Sequence, residues 1–158
     1  IFAAVKNLQH VLELYRDDQK IKQLTDALSA ETPARLQITG MTGAQESFVL
    51  AGSYLASPQH HLFIANDKEE AAYTQNTLAS LFDTKPVRFF PDSFKRPQFF
   101  EILNNTNVLE RTETINKITS SPSIGEIIVT YPEAIFEKEV LCLLLRLEKI
   151  RFALEHIG

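Results

Sequence analysis

The 158-residue sequence predicts a three-layer α/β/α fold built on a mainly parallel sheet. Three observations carry that prediction. Apolar runs of about five residues alternate with stretches of helical spacing, the pattern of βαβ units. A turn holding two glycines, Gly40 and Gly43, joins the first such run to a helix. The composition, 44% hydrophobic and 23% charged, is that of a globular domain long enough for one proper core.

In chain order, residues 1–30 form an N-terminal helical segment. Val5, Leu8, Leu12 and Tyr15 share one face at spacings of three and four, and Ile21, Leu24 and Leu28 form a second stripe. Asp17 and Asp18 mark the break between them and suit a helix cap. Residues 31–138 make the α/β module. Its strands are read at 35–39, 61–65, 86–90 and 126–130, and its helices at 44–56, 68–82 and 107–118. An irregular stretch spans 91–105, and a short helix opens at Pro132, where the missing N–H costs nothing. Residues 139–158 are read as a C-terminal amphipathic helix, with Leu143, Leu147, Ile150 and Leu154 on one face.

Charge and composition narrow the classes of function. A net charge of −4 gives no global attraction for nucleic acid, so any such contact needs a local basic patch. One cysteine, Cys142 between two leucines, provides neither a disulfide nor a metal cluster and fits a reducing, cytoplasmic setting. The longest apolar run, 140–145, is far short of the roughly 20 residues of a spanning helix, so no membrane role is expected.

The turn after the first expected strand reads Gly40-Met41-Thr42-Gly43-Ala44-Gln45-Glu46-Ser47. A working phosphate-binding loop has the pattern G-x-x-x-x-G-K-[ST] in this place. Its glycines let backbone N–H groups wrap the phosphates, its lysine neutralises them, and its hydroxyl holds Mg²⁺. Gly40 and Ser47 match. Gln45 stands for the second glycine and Glu46 for the lysine. A unit charge pair about 4 Å apart, at an effective dielectric near 20, is worth about 4 kcal/mol, so reversing the sign weighs heavily against nucleotide. The alternative is an ordinary glycine-containing strand-to-helix turn.

Beyond this loop, the ordered segments HLFIANDKEEAAYTQNTLASLF, VRFFPDSFKRP, NVLERTETINKI and EIIVTYPEAIF follow one another. Together with GMTGAQES they resemble the N-terminal region of bacterial transcription-repair coupling factors, the Mfd family, over roughly residues 34–138. That region is similar to the excision-repair protein UvrB, whose loop is intact. The resemblance implies a P-loop NTPase-like, UvrB domain-like module with a degenerate nucleotide loop. The module would be silent in catalysis, with docking and autoinhibitory roles in an ATP-dependent DNA translocase. That parent releases stalled RNA polymerase and recruits UvrA, and its ATP and Mg²⁺ belong to a motor C-terminal to the matched region. The implied partners are UvrA and other parent domains, with RNA polymerase and DNA reached through the parent. No UvrA-contacting residue carries over, and residues 139–158 depart from the family's continuation.

Other constellations point less sharply to chemistry. Phe89, Phe90, Phe94, Phe99 and Phe100 interleave with Arg88, Lys95 and Arg96. Such a stretch can stack on single-stranded nucleic acid or meet a protein partner, although core packing is the simpler use. Arg88, Lys95, Arg96 and Phe94 are therefore candidate nucleic-acid or partner contacts. Adjacent His60 and His61 would face opposite sides of a strand and so make a poor metal pair. No acidic pair follows the strand at 126–130, and no catalytic residue, bound cofactor or metal is expected. An atypical nucleotide-binding enzyme and a nucleic-acid-binding module remain the alternatives.

Overall fold

A computed structural model describes residues 2–30, 36–82, 87–94, 104–120, 125–137 and 150–155, with 2–7 and 150–155 as backbone. The fold is mixed α/β, with six helices and a parallel sheet among the described residues. It divides into two compact units, residues 1–58 with 76–85, and residues 59–75 with 86–158. None of the described helices is long and apolar enough to cross a membrane.

The first unit is helical. Helices α1 (Phe2–Asp17) and α2 (Gln19–Ser29) are separated by Asp18, whose carboxylate accepts the N–H groups of Lys20 at 2.8 Å and Ile21 at 3.3 Å. That cap satisfies two of the donors a helix start leaves open, as the sequence predicts. Helix α3 (Gln45–Ala56) packs close to α1 because Gly52 has no side chain: a Cβ there would sit 3.1 Å from Tyr15 Cβ. One turn away, Tyr15 stacks on Phe48 with ring centroids 5.3 Å apart. Leu12, Ile21, Leu24, Leu50, Ala51 and Tyr54 fill the interior.

One expected strand does not form. Residues 36–39 carry no strand, and Leu36 and Ile38 stay 50% and 37% exposed. The physical reason is the lack of a partner, since every strand pairing among the described residues falls in the second unit. A four-residue alternation without a neighbouring edge has no ladder to join.

The second unit holds β1 (His60–Ile64), the first part of α4 (Lys68–Leu81), β2 (Val87–Phe89), α5 (Asn105–Ser120), β3 (Ile127–Thr130), α6 (Pro132–Ile135) and β4 (Ile150–Glu155). The strand order is β2-β3-β1-β4 with every pairing parallel. β3 lies between two neighbours and is buried along its whole length, which is why its sequence is a continuous apolar run rather than an alternation. Phe63, Phe90, Ile118, Ile127, Ile128 and Tyr131 are the largest apolar contributions to the core.

The C-terminal helix expected at 139–158 is corrected by β4. Of that stretch, the described residues 150–155 are a strand parallel to β1. Ile150, Phe152 and Leu154 alternate with Arg151, Ala153 and Glu155, a period of two that the helical stripe of leucines obscures. Residues 139–149 lie outside the described part.

Candidate functional site

In the first unit, the loop before α3 is closed on itself. Gly40 (φ 80°) and Gly43 (φ 58°) both take the left-handed conformation that glycine allows at little cost. Thr42 donates its backbone N–H to Gln45 Oε1 at 2.8 Å, and the Gln45 N–H returns to the Thr42 carbonyl at 3.3 Å. An amide that a phosphate cradle would use is therefore already satisfied by the residue standing where the pattern has glycine. Glu46 places a carboxylate in the first turn of α3, which suits the helix dipole and opposes an incoming anion. Ser47, the position of the Mg²⁺-binding hydroxyl, is only 5% exposed.

The second unit carries a polar network at the carboxyl ends of its strands. In open parallel sheets this edge is where ligands commonly bind. Asp92, just after β2, receives the Lys68 ammonium at 3.1 Å and the hydroxyl proton of Tyr131, which follows β3. Tyr131 Oη also accepts the backbone N–H of Asp92 at 2.9 Å. Burial, and then the bond to Asp92, push the Tyr131 phenol above its ordinary range. Lys68 Nζ lies 5.9 Å from the Tyr131 ring centroid. Lys68, Asp92 and Tyr131 are thus engaged with one another.

Arg111 of α5 anchors the adjoining half of the network. Its Nη1 donates to the carbonyls of Pro91 at 2.5 Å and Ala134 at 3.3 Å, and its Nη2 pairs with Glu137 at 2.9 Å. The guanidinium also sits 4.4 Å from the Phe90 ring centroid. Glu137 accepts both the N–H and the hydroxyl of Ser93 at 2.7 Å, and Asn107 donates to the Asp92 carbonyl at 2.7 Å. Arg111, Asn107, Asp92 and Tyr131 are buried while Ser93 and Glu137 are half-buried, so most of these bonds act in a lowered dielectric and hold 91–93, α5 and the end of α6 together.

The basic and aromatic candidates separate. Arg88 pairs with Glu126 at 3.0 Å across neighbouring strands, so its charge is largely matched inside the fold. Phe90 is core, Phe89 tilts against Tyr131 at 6.1 Å, and Phe94 is half-buried. Lys95, Arg96, Phe99 and Phe100 lie outside the described residues. Both histidines of the pair are buried in β1. His61 Nδ1 donates to the Gln59 carbonyl at 2.9 Å, whereas His60 Nδ1 accepts the Glu126 N–H at 3.1 Å, so adjacent rings hold opposite tautomers. Burial holds His61 down at about 4.

The first unit also contains an open, mainly apolar cavity of about 720 Å³, lined by α1, α2 and α3 together with Leu36, Ile38 and Met41. Neither this cavity nor the Asp92–Tyr131 network is read from the sequence alone. The signal for the network is present in retrospect, because FFPDS, NVLER and TYPEAIFE are the segments it joins. No protein-family model, curated protein or solved structure matches the chain.

Proposed function

We propose that this chain is a catalytically silent, UvrB-like α/β module of a transcription-repair coupling factor, P-loop NTPase-like in descent and degenerate in its nucleotide loop. It works in partner docking and in holding the parent translocase closed, in the cytoplasm. UvrA and other domains of the parent are its partners, and RNA polymerase and DNA are reached through that parent. ATP and Mg²⁺ serve the parent's motor and not this module.

The observation that carries the reading is the loop before α3. Gln45 takes the Thr42 N–H, and Glu46 sets a negative charge where triphosphate needs a positive one. A second support is the network at the strand ends. The segments on which the family resemblance rests are the ones whose side chains bond one another, Asp92 to Tyr131 and Arg111 to Glu137. Residues spent on internal bonding stabilise a scaffold, and a scaffold is what a docking module requires.

Calorimetric titration of the chain with Mg-ATP tests the reading. A flat titration up to about 1 mM is expected, equivalent to binding weaker than about 4 kcal/mol. Micromolar binding would overturn it in favour of an atypical nucleotide enzyme.

A further inference from the structure

We draw no further inference here: the strongest candidate, the open apolar cavity lined by α1, α2 and α3 with Leu36, Ile38 and Met41, carries nothing because no feature of the structure shows what covers it.

Discussion

Tyr131 and Asp92 hold each other twice: the phenol donates to the carboxylate and accepts the backbone N–H of the same residue. The pair ties the turn after β2 to the turn after β3 across 39 residues of sequence. Tyr131→Phe keeps the ring and removes both bonds. It strands a buried N–H and leaves a carboxylate with Lys68 as its remaining charged partner. Leaving such groups unsatisfied costs about 1–3 kcal/mol each, so a loss of roughly 3 kcal/mol in urea unfolding is expected. Burial of the phenol, and then its bond to the Asp92 carboxylate, predict that one of the four tyrosines resists alkaline ionisation in an ultraviolet titration of the folded protein. Its absence from the Tyr131→Phe titration would assign it; an unchanged curve would refute the raised phenol.

Arg111 offers a test of geometry as opposed to charge. Its two terminal nitrogens serve three acceptors while the plane lies against Phe90. Lysine keeps the charge but has neither the fork nor the planar face. Arg111→Lys should lower the unfolding free energy by roughly 2 kcal/mol or more. A change under about 0.5 kcal/mol, the size of an ordinary surface effect, would mean the network contributes little.

Two glycines fail for different reasons when changed to alanine. At Gly125 the new Cβ would sit 1.9 Å from the Gln59 carbonyl carbon and 2.4 Å from the His60 nitrogen, so the start of β1 must move. At Gly43 nothing lies within 4 Å of the new atom, and only the φ of 58° opposes it. Gly43→Ala should cost about 1–2 kcal/mol from left-handed strain. Gly125→Ala should cost clearly more, as overpacking against backbone does. Thermal or urea midpoints that rank the two the other way would contradict the close approach of residue 125 to β1.

His61 predicts how stability follows pH. Its folded value of about 4 lies below the ordinary 6.5, chiefly because burial disfavours the charged ring. As pH falls, the unfolded chain takes the proton first. The contribution is therefore complete above about pH 6.5 and drains away between there and about pH 4, by a total on the order of 3 kcal/mol. His61→Leu should flatten that slope even if it lowers stability at neutral pH. Parallel slopes for the two proteins in urea unfolding between pH 7.5 and 4.5 would rule out the assignment.

Short-range signals account for most of what the sequence foretold. Three strands were legible as apolar runs, and Asp18 was legible as a cap because its carboxylate acts within three residues. Residues 36–39 show the limit of alternation: Leu36 and Ile38 have strand spacing, but spacing does not supply a neighbour. At 150–155 two periods fit the same letters, and pairing with β1 decides between them. The strand-end network was hidden for a different reason. An aspartate after one strand and a tyrosine after another become partners only when the sheet sets β2 beside β3.

The loop before α3 is where sequence and geometry bear on function together, and it can be repaired in steps. Gln45→Gly releases the Thr42 N–H without altering charge. Glu46→Lys reverses a charge at the helix start while leaving Gln45 in place. If the glycine-shaped backbone is still a cradle, Gln45→Gly alone should help inorganic pyrophosphate slightly, Glu46→Lys alone should help it far more through the charge, and the two together should help it most. Half of the charge-reversal energy, about 4 kcal/mol at an effective dielectric near 20, would raise affinity roughly a thousandfold. Calorimetry with pyrophosphate and with Mg-ATP reads this directly, and circular dichroism checks that the variants fold. A double variant as silent as the parent sequence would mean that the backbone itself no longer forms a phosphate nest. The loop would then be a turn and not a remnant, and the case for a retired nucleotide module would lose the observation that carries it.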